Sequence, residues 1–107
     1  MTERELKDLE GYDEKKFVRK EVHVGPRSTV ALIHLLPGQE VPKHSHPGVE
    51  IMLLPQKGEA LLTVDDHKEV ALKPGTFFSE LGEGHSFSIK NNGTAPFQML
   101  AVQVKLD

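Results

Sequence analysis

Residues 38–54 read GQEVPKHSHPGVEIMLL, and this segment predicts a candidate site that leads into a strand at residues 49–54. In an extended chain, residues two apart project to the same side, so His44 and His46 can present both imidazoles to one point. A proline and a glycine then redirect the chain, and Glu50 enters the next apolar run with the same parity. Three potential metal ligands therefore come from one short segment.

From Phe17 onward the sequence consists of short β-rich runs separated by turn residues. The turns recur about every 8 to 12 residues, which is typical of an antiparallel sandwich or barrel rather than of alternating strands and helices. These runs predict an all-β fold, a jelly-roll barrel. The predicted strands are residues 17–24, 29–36, 49–54, 60–64, 69–72, 76–79, 86–90 and 97–104.

The N-terminal segment differs in texture from the rest of the chain. It is dense in charge, and Leu6 and Leu9 are spaced as on one side of a helical turn. The segment is either a short helix closed by Gly11 or a solvated arm. We therefore divide the chain into an N-terminal arm, residues 1–16, and a single barrel domain, residues 17–107.

Composition limits the partners and the chemistry. The 107 residues include 16 acidic and 13 basic side chains, a formal charge of -3, and the basic ones are scattered. This balance predicts no binding of nucleic acid or of a membrane. Because the chain has no cysteine, any metal must be held by histidine and carboxylate. The charged N-terminus, and the lack of an apolar run approaching roughly 18 residues, predict a cytoplasmic protein.

A fourth potential ligand, His85, begins a later run of alternating residues. His85, Phe87 and Ile89 share its apolar face, which should point inward. An inward imidazole needs a partner, and a cation would also offset the cost of burying a carboxylate. Three imidazoles and one carboxylate suit Zn, Fe, Mn, Ni or Co and leave coordination positions open. The sequence therefore predicts one divalent metal ion per chain, with the ligands His44, His46, Glu50 and His85.

Two motifs in the chain resemble those of the cupin superfamily. The first cupin motif is Gly-x5-His-x-His-x3/4-Glu-x6-Gly, and the segment quoted above matches it as far as Glu50, with Gly58 closing it after seven residues instead of six. The second motif is Gly-x5-Pro-x-Gly-x2-His-x3-Asn. Here Gly75 is present, a leucine replaces the proline, His85 comes one residue early, and Asn91 comes two late relative to His85.

The resemblance covers residues 31–104 and implies a small single-domain cupin, a jelly-roll barrel of the double-stranded β-helix type. It also implies a metal bound by the four residues named above. Similarity to four-ligand cupins implies a metal-dependent enzyme, a dioxygenase, isomerase or lyase acting on a small organic metabolite. The alternative is a cupin that binds or senses a metal or a small ligand without turnover, and a purely structural ion is a third reading.

The pocket beside the predicted metal should be mostly apolar. If Glu50 faces the metal, the residues two and four further on follow it inward, and apolar residues of the His85 strand oppose them. His34 shares parity with apolar neighbours and is either a core residue or a pocket residue. The predicted pocket residues are Met52, Leu54, Phe87, Ile89 and His34.

The opposite face of the same strand is expected to be covered. Val49, Ile51 and Leu53 make this face as apolar as the one that carries Glu50, so a second sheet or a partner subunit should lie against it. Many cupins pair through such a face, and we therefore expect a homodimer. Two further histidines, His23 and His67, are expected at the surface.

Overall fold

The computed structural model describes residues 1–106. Within that range a 3-10 helix at Leu6–Leu9 precedes nine strands, and no helix has the length and apolarity needed to cross a membrane. The all-β fold class predicted from the sequence is confirmed. The strands are β1 (Val18–Val24), β2 (Ser28–Leu35), β3 (Glu40–Ser45), β4 (Val49–Lys57), β5 (Ala60–Val64), β6 (Lys68–Leu72), β7 (Phe78–Leu81), β8 (Ser86–Lys90) and β9 (Phe97–Lys105).

The strands form two antiparallel sheets that enclose one hydrophobic core. One sheet has the order β1-β2-β9-β4-β7, and the other has the order β3-β8-β5-β6. Each strand contributes every second residue to the space between the sheets, as the two-residue period of a strand requires. The buried core consists of Ile33, Leu35, Ile51, Leu53, Ala60, Leu62, Val64, Leu72, Phe87, Ile89, Phe97 and Met99.

Strand β3 is absent from the set predicted from the sequence. It lies at the edge of the four-stranded sheet, and its register with β8 shifts between Val41 and His44. Pro42 lies within it, and proline is tolerated at an edge because one side of the strand needs no ladder hydrogen bonds. An exposed, irregular edge strand lacks the apolar alternation by which the other strands were found.

The phase of β4 is the opposite of the predicted one. Ile51 and Leu53 are buried, with 4% and 5% of their surface exposed, and they belong to the core. Glu50, Met52 and Leu54 alternate with them and lie on the other face of the sheet. The run is apolar on both faces, so its alternation does not fix its phase. The homodimer remains a prediction, but the apolar face that suggested it lies inside the barrel.

The N-terminal arm packs on the outer face of the five-stranded sheet. Leu32 and His34 on that face are fully buried, and the Tyr12 ring meets the His34 ring edge-on with the centroids 4.9 Å apart. Lys20 Nζ donates a hydrogen bond to the carbonyl oxygen of Glu10 at 3.4 Å. Burial lowers the pKa of His34 and so keeps it neutral beneath the arm. His34 is therefore separated from the space between the sheets.

Candidate functional site

A cavity of about 320 Å³ lies between the two sheets. Its few polar side chains are Arg19, Lys43, His44, His46 and Gln103. A mostly apolar wall with a small number of polar groups is the usual composition of a site for a small organic molecule. The apolar residues that line it include Phe17, Ile33, Val41, Ile51, Leu53, Leu62, Phe87, Ile89, Met99 and Ala101.

The two histidines of the first motif lie side by side in this cavity. Their ring centroids are 4.5 Å apart and the rings are nearly perpendicular, at 84°. His44 Nδ1 lies 2.8 Å from the Pro42 carbonyl oxygen, which can only accept, so Nδ1 carries the proton and Nε2 of the neutral ring is an acceptor. His46 Nδ1 accepts from Gln103 Nε2 at 3.3 Å, which leaves its Nε2–H as a donor. The pair therefore offers a ligand one acceptor and one donor.

The surroundings of His46 favour a fixed and neutral ring. Burial lowers the pKa of His46, and the nearby charges of His44 and Arg19 lower it further. The loop before β8 packs closely on the same residue, because a Cβ at Gly82 would overlap the carbonyl oxygen of His46. At neutral pH His46 is therefore an uncharged hydrogen-bonding group, and the close contact with Gly82 fixes its backbone.

The other two predicted ligands do not join this pair. Glu50 lies on the outer face of β4 and does not line the cavity. His85 Nδ1 instead hydrogen-bonds to Asp65 Oδ2 at 2.7 Å, and Asp65 Oδ1 accepts from the Ser86 amide at 2.9 Å. Among residues 1–106 no group of three or more His, Cys, Asp or Glu side chains is arranged to hold a metal ion. The structure brings together two of the four predicted ligands.

Two residues at the ends of the motifs have structural roles that fix the motif register. Gly58 adopts a φ of +72°, and a Cβ there would overlap the carbonyl oxygen of Pro96. Asn91 is fully buried, and its Nδ2 donates to the carbonyl oxygens of Leu35 and Ala95, each at 2.9 Å. Neither position readily accepts another side chain, so the motifs are best counted back from Gly58 and Asn91.

When the motifs are counted back from Gly58 and Asn91, apolar side chains occupy the glutamate position of the first motif and the histidine position of the second. Ile51 precedes Gly58 by the six-residue spacing of the first motif, and Phe87 precedes Asn91 by the three-residue spacing of the second. Both side chains line the cavity, with 4% and 2% of their surface exposed. Two imidazoles that face apolar side chains do not fit a metal that needs three histidines and a carboxylate. The late positions of Gly58 and Asn91 in the sequence were the signal of this shift.

Of the five predicted pocket residues, two line the cavity and three do not. Phe87 and Ile89 line the cavity as expected. Met52 and Leu54 lie on the outer face of β4, and His34 lies on the outer face of β2 beneath the arm. Met52 and Leu54 were assigned to the cavity because strand phase was carried through a turn and an ambiguous apolar run, and His34 because it shares parity with apolar neighbours. Arg19 and Gln103 were missed, since neither belongs to a motif and each reaches the cavity only through sheet pairing.

Asp65→Asn is expected to lower the pKa of His85. The hydrogen bond to the Asp65 carboxylate raises the pKa of His85 above its ordinary value, and an amide would provide no such charge. An NMR titration of the His85 ring measures the change, with His23→Gln as a control that leaves the pair intact. An unchanged His85 pKa in Asp65→Asn would refute the interaction.

The Asp65–His85 pair also makes the stability of the protein depend on pH. His85 has a raised pKa, so its contribution is complete below about pH 6.5 and is lost as pH rises through its folded-state pKa. The pKa of Asp65 is lowered, by the Ser86 amide and by His85, so its contribution is complete above about pH 3.8 and is lost in acid. Urea unfolding should therefore show the largest difference between wild type and Asp65→Asn between these two values.

Known proteins resemble this chain in its fold, and the resemblance does not specify the chemistry of the site. The family model described as "Cupin domain" matches residues 31–103. No curated protein matches the chain. The TT1209 protein from Thermus thermophilus is 27% identical over the whole of both chains, with a TM-score of 0.89. An RmlC-like cupin from Desulfovibrio desulfuricans is 20% identical, with a TM-score of 0.83 and coverage of 97% of this chain and 96% of the other.

A third solved structure agrees with these two in architecture. It is an uncharacterized conserved protein with a double-stranded β-helix domain from Klebsiella pneumoniae, 24% identical, with a TM-score of 0.87. The alignment covers 95% of this chain and 88% of that one. At these identities the likeness concerns the barrel, and the chemistry of the cavity has to be argued from its own side chains.

Proposed function

The chain belongs to the cupin domain family, and from this we propose that it binds a small organic molecule in the barrel without a resident metal ion. The observation that carries the proposal is the pair of hydrocarbon side chains, Ile51 and Phe87, beside His44 and His46 in the cavity. Two imidazoles can orient a polar group, and the apolar walls can bury the rest of a ligand.

The cavity is of a suitable size for such a ligand. Its volume of about 320 Å³ lies at the lower end of the roughly 300 to 1,000 Å³ typical of small-molecule sites. The donor at His46 and the acceptor at His44 together complement a hydroxyl or a protonated carboxyl group of the ligand, and a carbonyl or carboxylate oxygen can accept from His46 alone. These features favour the non-catalytic alternative, in which a cupin binds or senses a small ligand.

A neutral aromatic probe tests this function directly. Benzyl alcohol is expected to shift the amide NMR signals of residues that line the cavity, and Ala101→Phe is expected to abolish these shifts by filling the space. Ala71→Phe is the matched control, because Ala71 is exposed on β6 and does not line the cavity. Binding should survive dialysis against EDTA, and the purified protein should contain well below one metal ion per chain. Metal-dependent binding, or no binding, would refute the proposal.

The metal-dependent dioxygenase, isomerase or lyase implied by the resemblance remains a prediction. It requires that His44, His46, Glu50 and His85 converge on one divalent ion, Zn, Fe, Mn, Ni or Co. The outward position of Glu50 and the Asp65 partner of His85 both weigh against it. A copurifying metal at one ion per chain, lost in His46→Ala, would restore it.

A further inference from the structure

We propose that the ligand of this cavity carries an anionic oxygen group, a carboxylate or a phosphate, and that Arg19 binds that group. The inference rests on the proposed function, since it specifies the class of molecule that the cavity takes. It is argued from the position of Arg19, from the charges in the cavity wall and from the hydrogen-bonding groups nearby.

The position of Arg19 follows from the register of the first two strands. Arg19 pairs with Ile33 across β1 and β2, and directly opposed residues of an antiparallel pair point to the same face. Ile33 is a core residue that lines the cavity. Arg19 therefore lies on the inner face of β1, although its side chain is exposed, and it lines the same cavity.

One of the two positive charges of the cavity wall, that of Arg19, is uncompensated. Within residues 1–106, the lining includes two cations, Arg19 and Lys43, and no aspartate or glutamate. Lys43 is paired with Asp66, at 2.7 Å between Nζ and Oδ2. The Arg19 guanidinium has no hydrogen bond or ion pair with the other residues of the range 1–106. A guanidinium left unpaired beside an apolar cavity provides a binding position for an anion.

The histidine pair adds a neutral donor near this cation. Arg19 and His46 line the same cavity. Because Gln103 occupies the Nδ1 of His46, the proton on Nε2 is free to be donated to a ligand oxygen. A carboxylate or phosphate can therefore accept from the guanidinium and from His46 while an apolar body enters the cavity.

Three phenyl-bearing probes separate the effect of the head-group charge from that of the apolar ring. Phenylacetate and phenylacetamide differ in the charge of their head group, and phenyl phosphate provides the second kind of anion. By NMR titration, phenylacetate or phenyl phosphate should bind the wild type about tenfold or more tightly than phenylacetamide. Whichever anion binds more tightly identifies the head group. In Arg19→Gln this preference should disappear, while phenylacetamide should bind as before.

Lys68→Gln is the matched control for the loss of one positive charge. Lys68 is exposed on the edge strand β6 and does not line the cavity, so the variant should retain the preference for anions. Equal affinity of the wild type for the anionic and neutral probes would overturn this inference and leave the proposed function standing. A preference that survives Arg19→Gln would also overturn it. If no probe binds, both proposals fail.

Discussion

Gly58→Ala is expected to lower the free energy of unfolding by about 4 kcal/mol, a large part of the roughly 5 to 15 kcal/mol that stabilises a typical domain. The new Cβ would overlap the carbonyl oxygen of Pro96 and lie 3.1 Å from the Cα of Phe97. Both are backbone atoms, which cannot swing away as the end of a side chain can. The φ of +72° adds a second cost, because residues with a Cβ rarely adopt it.

Gly75→Ala separates these two costs. Gly75 also has a positive φ, of +93°, but apart from its chain neighbours no atom of residues 1–106 lies within 4 Å of the place that a Cβ would take. We therefore expect it to lose only about 1 kcal/mol, the conformational cost alone. Urea unfolding of both variants gives the two free energies. A similar loss in each would mean that the contact with Pro96 does not anchor the end of the first motif.

The double substitution Ile51→Glu and Phe87→His is expected to create a divalent metal site. In the motif register fixed by Gly58 and Asn91, these changes supply the missing carboxylate and imidazole beside His44 and His46. Without metal the variant should be several kcal/mol less stable than wild type, because it buries a carboxylate without a cation. Zinc or nickel at about 1,000 times its dissociation constant should return roughly 4 kcal/mol.

The control places the same groups out of register. Met52→Glu with Phe87→His moves the carboxylate by one residue to the outer face of β4, so it should gain little from metal. Thermal unfolding with zinc and with EDTA distinguishes the variants. If the wild type itself is stabilised by zinc and Glu50→Gln removes the effect, the ligand set first predicted from the sequence is correct and the shifted register is wrong.

The sequence was sufficient to predict the barrel because most strands carry one polar and one apolar face. It was insufficient for β4, where Met52 and Leu54 are as apolar as Ile51 and Leu53. A shift of one residue exchanges the two faces of a strand, and here that shift moved the predicted carboxylate out of the cavity. Strand β3 was missed because an edge strand with an internal proline carries little alternation.

The polar residues of the candidate site were predictable only where they are close in sequence. His44 and His46 are two residues apart on one segment, and both line the cavity. Arg19 and Gln103 are brought to the same cavity by the pairing of β1 with β2 and of β4 with β9. No local pattern marks either residue, so only the three-dimensional arrangement identifies the cation and the hydrogen bond that orients His46.

The packing of the N-terminal arm bears on how the chain can be shortened. Successive residues of β2 lie on opposite faces of the sheet. Ile33 lines the cavity, and His34 lies beneath Tyr12. Removing the arm would uncover a fully buried imidazole one residue away from the ligand cavity. A protease cut after Lys16 would thus release a barrel that keeps its cavity but exposes the outer face of its five-stranded sheet to water. Residues 10–13, which contact Lys20, His34 and Gln39, should therefore be retained in a shortened form of the chain.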